Sequence, residues 1–516
     1  MRRKVVAKMK RFVAVLMMMA MLLPCLAAAE SMPFTGYYSD FSMGLDGWYP
    51  RSADGQMEIK RLGYAVEMKG RTAAWNSPGR DFPLQAGEKY LFSVEVKQTA
   101  VESAEFMVSV AHTKDGVESY ENLARATVKK GPWTVITGEY TPSQYDSYTL
   151  YIETVNNGEI NFMMRDFVLE PEKLTYAENL AVLKDIYAPY FDVGSCINNS
   201  QVNNKKQIDF FAGQFNIFTH ENELKPDSVL DVNASKALVA TEGETAVAVR
   251  FNNAKPLLDY CQKNGIKVHG HVLVWHSQTP EAFFHEGYDT EKPYVTREVM
   301  LARMENYIRL VLEGTEEKWP GVIVSWDVVN EAVADGKAAL RESNWTKVVG
   351  QDFVNRAFEY ARKYAREDMI LCYNDYNTPQ EPKLTGICNL LDSLIADGNI
   401  DGYGFQCHFS YNDPMIQTVR NAVEKIAAKG IKLRVSELDV GVTADTRQNQ
   451  NLQAAYYKEL FQLFMDHADQ MEAVQVWGLT DDRSWRSEKF PLLFNKQMEP
   501  KPAFFAVVEA ATEKAE

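Results

Sequence analysis

Glu331 closes the run SWDVVNE and Glu437 closes LRVSE, each at the end of an apolar stretch with strand character. Two carboxylates placed this way suit glycosidic cleavage. One must be protonated for the leaving oxygen and the other ionised, so the two need different surroundings. Other strand-like runs end in the same kind of chemistry: His220-Glu221-Asn222, His269 through Gln278, Asn374-Asp375-Tyr376, Gln406 and His408, Asp439, and Trp477 through Trp485. One such end is explained by capping its own strand; a whole series is not. Asn330, His408 and Asp439 are candidates for holding Glu437 and a bound sugar. Trp275, Tyr376, Trp477 and Trp485 stand beside His271, Gln278, Asn330 and Gln406. They offer flat apolar faces and fixed donors, which a pyranose needs together. His269-x-His271 with His276 hints at zinc, but no further His and carboxylate set stands at ligand spacing, so no catalytic metal is expected.

The elements that must position these residues alternate in type. From Leu174 onward eight strand candidates follow one another: FDVGSCIN, FNIFTHEN, KVHGHVLVW, VIVSWDVVNE, MILCYND, DGYGFQCHF, KLRVSELDV and AVQVWGLTDD. Amphipathic stretches such as REVMLARMENYIRLVLE and QAAYYKELFQLFMDHA lie between them. Eight βα units predict an α/β fold, a (β/α)8 TIM barrel, with polar residues gathered at the carboxyl ends of buried strands. That count puts Glu331 on the fourth strand and Glu437 on the seventh, facing each other across the rim. A doubly wound open sheet is the alternative, but no phosphate-binding glycine motif opens a helix after any strand. Before the barrel, runs such as YLFSVEVKQ, EFMVSVAH, WTVITGEY and YTLYIETV alternate with turn residues about every ten positions, which predicts an all-β, jelly-roll-like sandwich. A short hinge near Pro171 joins the two. The expected domains are therefore 1–29, 30–171 and 172–516.

Residues 1–29 read as a secretory leader. Six cations (Arg2, Arg3, Lys4, Lys8, Lys10, Arg11) precede the apolar run Phe12–Leu23, and Ala27-Ala28-Ala29 supplies a cleavage site. Lipidation at Cys25 is the alternative, and Pro24 fits that site poorly. Cleavage implies a secreted protein with no membrane association afterwards. The formal charge of −15 becomes about −21 without the six leader cations, which disfavours nucleic acid. Cys196, Cys261, Cys372, Cys388 and Cys407 show no metal spacing and sit in apolar runs, so buried free thiols are expected. A monomer is expected.

With these residues in place, the segment from about Leu180 to Phe505 resembles glycoside hydrolase family 10. WDVVNEAV and GIKLRVSELDV carry the resemblance most specifically. FNIFTHENELK, GHVLVWHSQTP, YNDYN, GFQCHFS and VWGLTDDRSW follow in the family's order. The resemblance implies a retaining endo-β-1,4-xylanase that needs no catalytic cofactor. Glu331 would be the acid/base and Glu437 the nucleophile, with carboxyls about 5–5.5 Å apart. It implies that Asn330 bonds the 2-hydroxyl and His408 orients Glu437. Glu221, Asn222 and Lys225 would form the next glycone subsite, while His271, Trp275, Gln278, Gln406 and Trp477 line the reacting one. Trp485 would crowd a hydroxymethyl group and so select xylose. Many members follow the lysine with Trp where this chain has Pro226, and the stretch to Arg250 is longer than usual. The segment Phe41–Leu169 is similar to carbohydrate-binding module family 22 through GWYPRS, GRTAAWNSPG, GPWTVITGEY and LYIET. That implies xylan or xylo-oligosaccharide binding by Arg51, Trp75, Tyr120, Tyr151 and Glu153, and often a structural calcium. A retaining endo-β-glucanase and a non-catalytic polysaccharide-binding protein are the competing functions.

Overall fold

The computed structural model describes residues 36–171, except 40, 42–43, 53–57 and 63, and residues 180–515. The leader, Cys25 and most of the expected hinge lie outside the described residues. Chain contacts divide into two compact units between Ala177 and Glu178.

In the first unit, period-2 alternation builds two antiparallel sheets. One orders Glu58–Arg61, Val66–Lys69, Phe162–Pro171, Tyr90–Lys97 and Thr134–Tyr140, with Tyr37–Ser39 also on Phe162–Pro171. The other orders Tyr49–Pro50, Pro78–Asp81, Ser147–Thr154, Ser103–Lys114 and Val117–Lys129. Tyr90, Phe92, Val94 and Val96 point inward from the first sheet and meet Phe106, Val108, Val110, Leu150 and Ile152 of the second. This is the sandwich that the alternation predicts. Ser147–Thr154 departs from it in one respect. Tyr151 and Glu153, on the face away from the core, are only 4% and 8% exposed, so that outer face is itself covered.

The second unit is a closed parallel barrel. Its strands are β1 (Asp192–Ile197), β2 (Ile217–His220), β3 (Lys267–Gly270), β4 (Ile323–Asn330), β5 (Ile370–Asp375), β6 (Gly402–Phe405), β7 (Lys432–Gly441) and β8 (Met471–Val476). Each pairs with the next, and β1 pairs with β8 to close the ring. Helices fill the returns. Arg297–Lys318 starts at the Thr296 cap and buries Met300, Met304, Tyr307, Ile308, Val311 and Leu312 at three- and four-residue spacing. Among the described residues no helix is long and apolar enough to cross a membrane. The five described cysteines are free and buried, as expected.

Two irregularities matter for the site. The β4–β5 register shifts between Asp327 and Val329, and the β7–β8 register between Val435 and Leu438. Such shifts re-aim the side chains that follow, and here Glu331 and Glu437 lie beside them. Close strand approach also depends on small residues. A Cβ on Gly194 would stand 2.1 Å from the Ile217 carbonyl oxygen of the neighbouring strand, an atom that cannot swing away. Gly194→Ala should therefore destabilise the protein by about 1–3 kcal/mol, read as a lower urea midpoint; an unchanged midpoint would contradict this packing.

Candidate active site and carbohydrate-binding face

Three amides tie the two carboxylates together. Asn374, at the end of β5, donates from Nδ2 to Glu437 Oε1 at 2.8 Å and to Asn330 Oδ1 at 3.1 Å. Gln406 Nε2 donates to the same Asn330 oxygen at 3.0 Å and to Glu331 Oε1 at 3.0 Å. Asn330 Nδ2 completes the set, 3.4 Å from Glu331 Oε1. Ser436 Oγ donates to Asn374 Oδ1 at 2.7 Å, which fixes the amide's orientation and leaves both its hydrogens for the carboxylate side. A Cβ on Gly404 would stand 2.4 Å from Asn374 Oδ1, so that glycine makes the room.

The surroundings of the two carboxylates differ. Glu331 receives neutral donors only: Gln406, Asn330 and Trp275 Nε1, the last on Oε2 at 3.1 Å. His276 Nε2 stands 4.0 Å from that oxygen, and burial pushes this imidazole down. Glu331 itself has φ 56°, in the left-handed region. Its N–H donates to the Asn374 carbonyl at 2.9 Å, and Arg341 Nε donates to its own carbonyl at 3.3 Å. Strain of this kind costs about 1–3 kcal/mol and persists where neighbours over-determine it.

Glu437 faces a cation. His408 lies between two acceptors, 2.8 Å from Asp439 Oδ2 through Nδ1 and 3.2 Å from Glu437 Oε2 through Nε2. Both ring nitrogens must donate, so the ring is an imidazolium. Burial alone would push His408 down, but the Asp439 charge and the two hydrogen bonds outweigh it and push it up to about 10. Burial would likewise push Glu437 up; the His408 hydrogen bond and the fields of His271 and His408 hold it below the ordinary range. Asp439 is anchored in turn by Trp485 Nε1 at 2.9 Å and Arg486 Nη1 at 2.5 Å.

The remaining expected residues fall around this centre. His271 Nδ1 is 2.8 Å from Asp327 Oδ2, with the Trp477 ring 5.6 Å and the Trp275 ring 6.3 Å away. Lys225 Nζ lies 5.0 Å over Trp275 and donates to Asn222 Oδ1 at 3.0 Å. Gln278, at φ 43°, reaches Asn222 Oδ1 at 3.4 Å, and Glu221 accepts from Asn198 at 2.8 Å. Trp485 packs edge-on to His408 at 4.9 Å and is 58% exposed. Tyr376 is more constrained than its sequence position suggests. Its hydroxyl bonds Asp335 and accepts from Arg341 at 2.8 Å, while Lys383 Nζ lies 3.5 Å over its ring. Sequence reasoning gave no role to Asn374, Ser436, Asp327, Arg341 or Arg486. For Asn374 a signal existed, since it ends a strand beside Asp375 and Tyr376.

On the first unit, Arg51 lies across the covered outer face of Ser147–Thr154, its guanidinium 3.8 Å over the Tyr151 ring and 5.9 Å from Tyr120. A Cβ on Gly79 would meet the Arg51 side chain at 2.4 Å. Glu153 Oε1 accepts from Ser109 Oγ at 2.7 Å, and burial pushes its carboxyl up. Tyr120 and Trp75 are 60% and 53% exposed. Buried Arg71 pins the loop carrying Trp75 by donating to the Ala74, Asn76 and Ile160 carbonyls and to Thr154. Among the described residues no three His, Cys, Asp or Glu side chains come together as a cation site.

Residues 182–510 match the family model of glycosyl hydrolase family 10, and residues 35–158 that of a carbohydrate binding domain. Endo-1,4-beta-xylanase B of Butyrivibrio fibrisolvens is 39% identical over 339 residues, 64% of this chain and 53% of its own. Endo-1,4-beta-xylanase Y of Acetivibrio thermocellus is 32% identical over 511 residues, 91% of this chain and 46% of its own. The chain thus spans about half the length of these curated relatives. A crystal structure of the CBM22-1 and GH10 modules of Clostridium thermocellum endo-1,4-beta-D-xylanase 10B, complexed with xylohexaose, aligns at TM-score 0.61 and 32% identity, covering 92% of this chain and 97% of that one.

The two carboxylates predict a pH response. Asp439→Asn removes the charge that raises His408, so the imidazolium is lost at lower pH. Glu437, with a weaker imidazolium partner set against its burial, should then protonate at higher pH. The acid limb of kcat/KM is expected to move upward; an unmoved limb would show that His408 does not set it. The sign of the stability effect is separate. The wild-type His408, at about 10 against an ordinary 6.5, stabilises the fold fully below pH 6.5 and loses that contribution as pH rises through 10.

Proposed function

The chain belongs to glycosyl hydrolase family 10, and on that premise we propose that it hydrolyses internal β-1,4-xylosidic bonds of xylan with retention of configuration. One observation carries the reading. Two carboxylates share a single amide cluster, yet Glu437 has an imidazolium partner and Glu331 only neutral donors. Environments so different divide the roles of acid and nucleophile. In the first step Glu437 bonds the anomeric carbon while Glu331 gives its proton to the departing glycosidic oxygen. In the second, Glu331 takes a proton from water, the hydroxide oxygen bonds the same carbon, and Glu437 leaves. Asn330 is set to meet the 2-hydroxyl, because its carbonyl is held by Asn374 and Gln406. Trp485, tethered to Asp439 and exposed at the rim, is the residue that crowds a hydroxymethyl group in this reading. The first unit holds xylan across Arg51, Tyr151, Glu153, Tyr120 and Trp75. The protein acts as an exported monomer, testable by an intact mass that begins at Glu30 and by light scattering.

Wild type should release reducing ends from beechwood xylan, with the β-anomer appearing first by proton NMR. Glu331→Gln and Glu437→Ala should each lose at least about 10³-fold. Faster release from mixed-linkage glucan than from xylan would favour the glucanase reading, and full activity in Glu437→Ala would overturn the mechanism. Separately, Trp75→Ala should weaken retention on insoluble xylan while leaving xylo-oligosaccharide hydrolysis unchanged; equal retention would remove Trp75 from the binding face.

A further inference from the structure

Below the catalytic layer the barrel interior is polar. Thr219 on β2, His269 on β3, Ser325 on β4, Arg434 on β7 and Gln475 on β8 are each no more than 2% exposed. Gln475 Nε2 donates to Thr219 at 2.8 Å, and Arg434 Nη1 donates to Gln475 Oε1 at 2.7 Å. Arg434 Nη2 donates to Ser325 Oγ at 2.9 Å, and that oxygen lies 2.7 Å from His269 Nδ1. His269 Nε2 is 3.0 Å from Asp327 Oδ2, the oxygen that also faces His271 Nδ1 at 2.8 Å. The path therefore ends at a residue of the reacting centre.

Its direction follows from donor chemistry. A guanidinium has donors and no acceptor, whereas a serine hydroxyl has one hydrogen. Ser325 Oγ must accept from Arg434, and the other partner the structure gives it is His269 Nδ1, so a hydroxyl that uses its one hydrogen donates it there. Nδ1 is then an acceptor, and the ring proton sits on Nε2, which lies 3.0 Å from Asp327 Oδ2 without an aligned hydrogen bond to it. We propose that Arg434 is a positioning residue for the nucleophile: through Ser325 it locks His269 as the neutral Nε2–H tautomer, so Asp327 keeps its full charge for His271. The charged and titratable groups facing His269 are Asp327 from β4, Arg434 from β7 and His271 on its own chain segment. Burial and the Arg434 field hold His269 down at about 4 against the pull of Asp327. A His269 able to take a second proton would share Asp327's charge and weaken its hold on His271, whose field helps keep Glu437 ionised.

The test is long-range proton–nitrogen NMR on the full chain with ¹⁵N-labelled histidine, His269 being assigned by its loss in His269→Gln. In the wild type, Nε2 should carry the proton and Nδ1 none from about pH 5 to 9. In Arg434→Met, His269 should take up a second proton inside that range. Ser325→Ala should raise its titration too, by less, and serves if the arginine variant does not fold. Arg434→Met should also lower kcat on xylohexaose about tenfold while KM stays within about twofold, with Arg434→Lys restoring part of it. Unchanged His269 signals in both variants would overturn the inference, as would a risen KM with kcat intact. The rate readout rests on the proposed function but the tautomer does not. A wild type with the expected His269 signals and no action on xylan would therefore refute only the proposed function.

Discussion

An ionised carboxylate 5% exposed inside a barrel is costly unless an opposite charge and hydrogen bonds come with it. That constraint organises the second unit. Glu437 is kept charged by the His408 imidazolium, which is kept charged by Asp439, which is held by Arg486 and Trp485. Each group in the sequence answers the desolvation of the one before it, until the chain of partners reaches the rim. The other carboxylate takes the remaining two amides of the cluster, Gln406 and Asn330, without such a series, and that difference divides their surroundings.

The same logic explains why the interior departs from the apolar filling usual for such barrels. Asp327 lies beneath His271 with two imidazoles on one oxygen, and Arg434 lies deeper with neutral partners on its Nη atoms. Polar groups this deep are stabilising only when nearly all are satisfied. Here the hydroxyls of Thr219 and Ser325 and the amide of Gln475, from β2, β4 and β8, do most of that. The first unit solves a smaller version of the problem: Arg51 covers Tyr151 on the sheet's outer face, while Ser109 satisfies the buried Glu153.

Much of this was legible in the sequence. Period-2 runs gave the sandwich, eight βα units gave the barrel, and polar strand ends marked the rim with Glu331 and Glu437 on the fourth and seventh strands. These features are local, because periodicity and strand-end composition are written within a dozen residues. Asn374 was visible as a strand-end amide, but its two hydrogen bonds, to Glu437 and to Asn330, span three strands. Tyr376 was legible as a flat ring, yet its clamp joins Asp335 and Arg341 of the loop after β4 to Lys383 at the start of a later helix.

What the sequence by itself determined was therefore the fold class and the strand ends on which the two carboxylates stand. The tertiary structure alone decided which carboxylate receives a cation, which amides join them, and that Ser325, His269, Arg434 and Gln475 point into one interior. A strand's alternation says that successive residues face opposite ways but not which way is in. Ring closure, the register shift before Glu331 and the one that spans Glu437 settle that choice, and they depend on strands far apart in the chain.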